Sequence, residues 1–148
     1  MKKIRVLFLC TGNSARSQMA EALLRHLTNG RADAHSAGTH PRPDVHPMAI
    51  QTLASRFNIG SDGLFPKTLD RYVGQDWDYV ITVCDRAAES CPVFPGDPER
   101  IHWSFPDPAA VEGTPDVQQR AFDTTASDIA GRLRLWLQLP DVARRVAE

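Results

Sequence analysis

One strand–loop–helix unit near the start of the chain constrains the fold more than any other feature. An apolar run at 4–9 leads into the short polar loop 10–15, and an amphipathic helical pattern follows over roughly 16–28. Asn29 and Gly30 then mark the end of the predicted helix. A strand that passes directly into a helix is typical of α/β folds, in which helices cover a parallel sheet.

The rest of the chain continues this alternation. Further strands are predicted at 33–37, 79–83 and 100–103, loops at 84–99 and 104–113, and helices at 47–57, 68–72 and onward from a cap at 114–116. The expected apolar face of this last helix is Val117, Ala121, Phe122, Ile129, Leu133 and Leu137. Alternate leucines from 133 to 139 also suit a strand, but we prefer the helix because it extends a longer helical pattern. We therefore predict a single-domain, three-layer α/β sandwich over 1–148 with a four-stranded parallel sheet, for which we take the strand order 2-1-3-4.

Composition and charge exclude several classes of function. The 148 residues carry 17 basic and 18 acidic side chains, so the formal net charge is −1. This near-neutral balance provides no long-range attraction for nucleic acid or for an anionic membrane. No apolar run approaches the ~20 residues that cross a bilayer, and the run after Lys3 is too short for a signal peptide. We expect a cytoplasmic protein with neither a nucleic-acid nor a membrane partner.

The loop that follows the first strand has the composition of a cradle for a tetrahedral oxyanion. Gly12 and Asn13 tolerate the positive φ that a nest of backbone amides needs, and the positive end of the next helix faces the same point. Arg16 offers a planar fork of donors to two anion oxygens. These groups predict a lowered pKa for Cys10, hence a nucleophilic thiolate. The candidate anion-binding residues are Thr11, Gly12, Asn13, Ser14, Ala15, Arg16 and Ser17. A buried, inert Cys10 is the alternative, which the neighbouring residues disfavour.

Two further cysteines bring the total to three, an odd number that argues against a secreted disulfide framework. In the order 2-1-3-4, Cys84 follows the strand next to the one that ends at Cys10, so a disulfide between them is feasible. If 85–90 formed a helix, Cys84 and Cys91 would lie ~10.5 Å apart along its axis, and their disulfide would require refolding. The alternative is a strand-capping Cys84 and an incidental Cys91; we favour a relay of three thiols. A zinc site is disfavoured because no C-x2-C pair is present.

Asp107 is the candidate general acid. When a phosphate-like group is transferred to a thiolate, the oxygen that leaves this group must be protonated. Asp107 lies between Pro106 and Pro108 in a stiff loop after the fourth predicted strand, on the same edge of the sheet as Cys10. An Asx turn, in which Asp107 accepts a hydrogen bond from the nearby backbone, is the alternative. The residues alone do not separate these two interpretations.

Residues 10–21 closely resemble the phosphate loop of the low-molecular-weight protein tyrosine phosphatase superfamily. Within it, the chain is similar to the thioredoxin-coupled arsenate reductases, and the resemblance extends to 36–38, 83–85, 91–92 and 102–108. The loop is typical of the whole superfamily, whereas the pair Cys84 and Cys91 indicates the reductases. The resemblance raises the expectation that Asp107 acts as the acid.

The resemblance implies a substrate and a first chemical step. Cys10 would attack arsenate that is held by the loop amides and Arg16, while Asp107 protonates the departing oxygen. Ser17 would help to hold the thiolate. Phosphate and sulfate would bind as analogues, and neither a cofactor nor a metal is expected.

The resemblance also implies a disulfide relay that serves arsenical detoxification. Cys84 would attack Cys10, which releases arsenite and leaves a Cys10–Cys84 bond. Cys91 would then attack Cys84, and thioredoxin would reduce the resulting Cys84–Cys91 bond.

Some positions depart from the pattern. Certain reductases of this type bind potassium near residues that match Asn13, Glu21 and Ser36, whereas here the ammonium of Lys67 is predicted to replace the cation; a solvated surface lysine is the alternative. Ala15 stands where phosphatases often have a second loop cysteine. The aromatic pair that phosphatases carry after the Asp-Pro is absent, which weakens tyrosine phosphate as a substrate.

Two rival functions remain from the sequence. The first is a phosphatase that hydrolyses phosphate monoesters through a phospho-Cys10 intermediate, with Cys84 and Cys91 as bystanders. The second is a non-enzymatic oxyanion or redox sensor, which leaves Asp107 without a purpose. The histidines show no ligand spacing and are expected at the surface or in packing: His26, His35, His40, His46 and His102.

Overall fold

A parallel sheet of four strands forms the centre of the computed structural model, which describes residues 3–85, 87, 91 and 94–147. The strands are β1 (Ile4–Cys10), β2 (Ala32–Gly38), β3 (Tyr79–Thr82) and β4 (Glu99–His102). They pair in the order β2-β1-β3-β4. The predicted α/β fold and strand order are confirmed.

Helices and short 3-10 turns connect and cover the strands. The helices are α1 (Arg16–Leu27), α2 (Pro47–Phe57), α3 (Pro115–Leu137) and α4 (Pro140–Ala147), and the 3-10 turns are Leu69–Arg71 and Pro108–Ala110. Helix α1 packs against β2 and α3, and α3 also contacts α2 and α4. Among the described residues, no helix combines the length and apolar composition needed to cross a lipid bilayer.

The position of β1 explains why its sequence is almost continuously apolar. β1 lies between β2 and β3, so side chains on both of its faces are buried, and Val6, Leu7, Phe8 and Leu9 are 0% exposed. The backbone N–H of Val83 donates to the carbonyl of Leu9 at 2.9 Å. This hydrogen bond sets the ends of β1 and β3 side by side, as the predicted order requires.

The long C-terminal helix differs from the prediction in two respects. Its buried face is Phe122, Thr125, Ala126, Ile129, Ala130, Leu133 and Trp136. The expectation that Val117 belongs to this face is wrong: Val117 is 42% exposed, because its side chain covers Gly113 of the preceding loop. Leu135 and Leu139 are also exposed, which excludes the strand alternative. The helix ends at Leu137, and Pro140 begins a second helix that the sequence pattern did not separate.

The segment predicted as a loop at 84–99 lies partly outside the described residues. Within it, Asp85 and Ala87 have helical backbone, and Phe94 is buried. Asp85 Oδ1 lies 2.9 Å from His102 Nε2. This contact links the chain just after Cys84 to the end of β4.

Candidate active site

The loop 10–15 emerges from the central strand β1 and enters α1 at the carboxyl edge of the sheet. Asn13 has φ 48°, the left-handed conformation predicted for an anion nest. Gly12, which would also tolerate this conformation, does not adopt a positive φ. Its lack of a side chain serves a different purpose: a Cβ at Gly12 would lie 3.3 Å from Cγ and Nε of Arg42.

Backbone hydrogen bonds from the segment that follows β2 orient the loop. The carbonyls of Cys10, Thr11, Gly12 and Ser14 accept from the N–H groups of Thr39, His40, Arg42 and His46. Gly38 allows this close approach, since a Cβ there would lie 2.6 Å from the carbonyl oxygen of Thr11. The segment after β2 thus satisfies four carbonyls of the loop, which holds the loop in one conformation.

Asn13 holds the loop from behind. Its fully buried side chain donates to Ser17 Oγ at 2.8 Å and Ser36 Oγ at 3.0 Å, and its Oδ1 accepts from the N–H of Lys67 at 2.9 Å. Ser17 is also fully buried. Asn13 therefore contributes backbone rather than side chain to the loop interior, and the Ser17 hydroxyl lies behind the loop.

Lys67 is buried at 6% exposure, so the surface-lysine alternative is wrong. Its Nζ lies 3.2 Å from Glu21 Oε1, 3.0 Å from the carbonyl of Phe65 and 3.5 Å from Ser36 Oγ. Burial lowers the pKa of Lys67, and the Glu21 carboxylate opposes this shift. The ammonium thus occupies the neighbourhood where the resemblance placed a cation, and it neutralises a carboxylate beneath the loop.

We expect Lys67→Met to destabilise the protein by about 3 kcal/mol, because it leaves the buried Glu21 carboxylate without the buried cation that contacts its Oε1. Arg25 Nη1, 2.9 Å from Glu21 Oε2, remains as partial compensation. Urea unfolding measures the effect. The matched control is the double variant Lys67→Met/Glu21→Gln, which should recover much of the loss; equal destabilisation in both variants would contradict the pairing.

A pocket of about 590 Å³ opens above the loop. Its walls contain loop residues, Arg16 and residues from two other segments: Cys10, Thr11, Gly12, Asn13, Ser14, Ala15, Arg16, His40, Arg42, His46, Asp107 and Ala109. The structure thus brings Asp107 to the predicted loop, whereas Ser17, Cys84 and Cys91 lie outside this lining. Sequence reasoning missed three residues that line the pocket, His40, Arg42 and His46. The prolines in the connection after β2 were the only sequence signal that this segment has an ordered backbone.

Arg16 and Asp107 face each other across the pocket floor. Arg16 Nη1 donates to the carbonyl of Phe105 at 2.8 Å, and its Nη2 lies 3.9 Å from Asp107 Oδ2. Asp107 Oδ1 accepts from the N–H of Ala109 at 3.0 Å, so the Asx turn of the alternative interpretation is present. The turn uses only one carboxyl oxygen and fixes the other beside Arg16.

Cys10 and Cys84 are both buried, and their side chains are joined by a hydrogen bond. A hydrogen bond to Cys84, together with burial, raises the pKa of Cys10 despite the opposing charge of Arg16. Because the two thiols titrate together, the lowered pKa predicted for Cys10 stays a prediction. Conversely, hydrogen bonds from Cys10 and from Thr11, whose Oγ1 is 3.4 Å from Cys84 Sγ, lower the pKa of Cys84 to about 5. Burial raises the pKa of the half-buried Cys91.

At neutral pH the reduced protein should hold one thiolate, on the Cys10–Cys84 pair. Because the pKa of Cys84 is lowered, its ultraviolet thiolate absorbance should persist below the ordinary thiol range and disappear as the pH falls through about 5. Cys10→Ala removes the hydrogen bond that lowers the pKa of Cys84 most, so the pH midpoint of the thiolate absorbance should move upward in that variant. A wild-type midpoint in the ordinary thiol range would contradict this description.

A cysteine and an arginine that enclose a ring of backbone amides, at the end of a central parallel strand, define a class of oxyanion-binding enzymes. Residues 5–144 match the family of low molecular weight phosphotyrosine protein phosphatases, and the chain belongs to that family. It is 36% identical over 138 residues to an arsenate reductase of Halalkalibacterium halodurans. The match covers 93% of this chain and 98% of the relative.

Solved structures show the same architecture. A thioredoxin-dependent arsenate reductase of Corynebacterium glutamicum superposes with a TM-score of 0.68 at 31% identity, over 90% of this chain and 60% of that chain. This chain therefore spans less than two thirds of that structure. A low molecular weight protein tyrosine phosphatase of T. tengcongensis, at 22% identity and a TM-score of 0.73 over 93% of this chain and 100% of that one, shares the fold.

Proposed function

We propose that this protein reduces arsenate to arsenite through Cys10, Cys84 and Cys91, with thioredoxin as the reductant. The observation that carries the proposal is the position of Cys84, whose thiol contacts both Cys10 and Thr11 at the neighbouring strand end. A hydrolase needs no second thiol there. The relatives named arsenate reductases, and the thioredoxin-dependent one among the solved structures, support the same conclusion.

Substrate binding uses charge and backbone dipoles together. The loop N–H groups and the N-terminus of α1 attract the oxyanion, and the Arg16 guanidinium binds two of its oxygens. Asp107, whose free carboxyl oxygen faces Arg16, delivers a proton to the oxygen that departs from arsenic. Cys10 gives up its own proton along its hydrogen bond to the Cys84 thiolate, so that Cys10 becomes the attacking anion.

The redox steps transfer two electrons. Cys84 first releases to solvent the proton that it took from Cys10. Its thiolate then attacks Cys10 Sγ, the sulfur–arsenic bond breaks, and the electron pair of that bond stays on arsenic, which leaves as arsenite. Thr11 supports this attack because its hydroxyl lies 3.4 Å from Cys84 Sγ. Cys91 then attacks Cys84 and frees Cys10, and thioredoxin reduces the Cys84–Cys91 bond. A relay that thioredoxin reduces suits the reducing cytoplasm.

A second activity follows from the family and from the placement of Asp107. The same loop binds a phosphate monoester, and Cys10 accepts the phosphoryl group while Asp107 protonates the leaving alcohol. Water then attacks the phosphorus of phospho-Cys10 and releases phosphate and the free thiol. Because phosphate and arsenate have the same charge and shape, we expect slow aryl phosphate hydrolysis beside reduction.

Two assays on the same preparation test the proposal. One follows NADPH oxidation with arsenate, thioredoxin and thioredoxin reductase; the other follows hydrolysis of an aryl phosphate. We expect efficient arsenate turnover that requires thioredoxin, and weak hydrolysis. Hydrolysis alone would favour the phosphatase, and the absence of both activities would favour a sensor; either result would overturn the reductase.

A further inference from the structure

We propose that Arg42 is a second arginine of the oxyanion site, which binds the free anion together with the loop's own Arg16. This inference rests on the proposed oxyanion chemistry at Cys10 and adds a binding residue from the connection between β2 and α2. Arg42 is not part of the Cys–loop–Arg motif, and nothing in its local sequence marks it as a ligand-binding residue.

Backbone contacts fix the position of Arg42. Its N–H donates to the carbonyl of Gly12 at 2.9 Å, so the residue is held against the loop. Its side chain lies over Gly12, with Cγ and Nε both 3.3 Å from the point that a Cβ of residue 12 would occupy. A side chain at position 12 would therefore push Arg42 away, which gives the glycine a purpose that its φ does not explain.

The guanidinium of Arg42 lines the same pocket as Cys10, Arg16 and Asp107. Arg16 already donates one hydrogen bond to the Phe105 carbonyl and lies near the carboxylate of Asp107. Within the described part of the chain, Arg42 has neither a carboxylate within 4.0 Å nor a side-chain hydrogen bond. Its charge nevertheless reaches the pocket, since it contributes, after burial, to the lowered pKa of His46.

An unpaired guanidinium beside an anion site gains a charge-assisted hydrogen bond when the anion binds. No internal ion pair has to be broken first, so the whole gain appears as affinity. The bond forms to ground-state arsenate and to the transition state alike, which predicts an effect on KM rather than on kcat.

The test compares Arg42→Ala with Arg31→Ala, which removes the same charge from an exposed site at the opposite end of β2. Arg42→Ala should raise the KM for arsenate and the Kd for inorganic phosphate by roughly tenfold, with kcat within about twofold. Arg31→Ala should change neither by more than about twofold. Urea unfolding verifies that both variants are folded.

The phosphate measurement, by calorimetry on reduced protein, separates this inference from the reductase proposal. Equal phosphate affinity in wild type and Arg42→Ala would overturn the role of Arg42, whatever the arsenate activity. Absent arsenate turnover in the wild type, with weakened phosphate binding in Arg42→Ala, would overturn the reductase and leave the binding role intact. Equal losses in the two variants would also overturn the inference, since a distant charge would then suffice.

Discussion

Replacing Cys84 by serine should abolish thioredoxin-coupled arsenate reduction, by at least on the order of 10³-fold, while aryl phosphate hydrolysis persists. A hydroxyl at position 84 cannot form a disulfide with Cys10, so the arsenate adduct on Cys10 cannot be reduced to arsenite. Hydrolysis survives because Cys10 keeps Arg16 and the loop amides. Loss of the hydrogen bond to Cys84 removes the largest influence that raises the pKa of Cys10.

The matched control for this variant is Cys91→Ser. It keeps Cys10 and Cys84 in contact and should release about one arsenite per chain, after which the Cys10–Cys84 disulfide accumulates. Continued multiple turnover in Cys84→Ser would show that the second thiol is a bystander. Parallel loss of hydrolysis would instead indicate that the serine disturbs the loop.

The second large effect is expected for Arg16→Lys, which should lower kcat/KM by about 10²–10³-fold for both arsenate and aryl phosphate. Lysine keeps the charge but lacks the planar fork that binds two oxygens, and it cannot reproduce the 2.8 Å hydrogen bond to the Phe105 carbonyl. Both substrates suffer because both place their oxyanion in the same cradle.

Arg31→Lys, an exposed substitution of the same chemistry, is the control for Arg16→Lys and should leave both activities unchanged. Steady-state kinetics with the two substrates measures the effect. If Arg16→Lys kept more than about a fifth of either activity, the guanidinium would not be holding the anion in that reaction.

The parts of the fold that local patterns determine could be predicted from the sequence. Apart from Arg5, β1 is apolar because it lies between two other strands, and Asn13 tolerates left-handed backbone on its own account. The strand order placed Cys84 beside Cys10. The helical interpretation of the leucines from 133 onward also followed from periodicity, and the structure confirms it as far as Leu137.

The parts that depend on contacts between distant segments could not be predicted. The pKa of Cys10 is raised by Cys84, a neighbour only in the folded chain. The burial of Lys67 requires Glu21 from α1. Arg42 and His46 become pocket residues only because their backbone N–H groups satisfy carbonyls of the loop. No local pattern reports these contacts.

Addition of one equivalent of arsenate to fully reduced protein, without thioredoxin, tests the thiol relay most directly. Arsenite release and peptide mapping by mass spectrometry give the outcome for each chain. We expect about one arsenite per chain, a disulfide between Cys84 and Cys91, and a free Cys10. Three free thiols after arsenate exposure, or a disulfide that excludes Cys84, would contradict the relay.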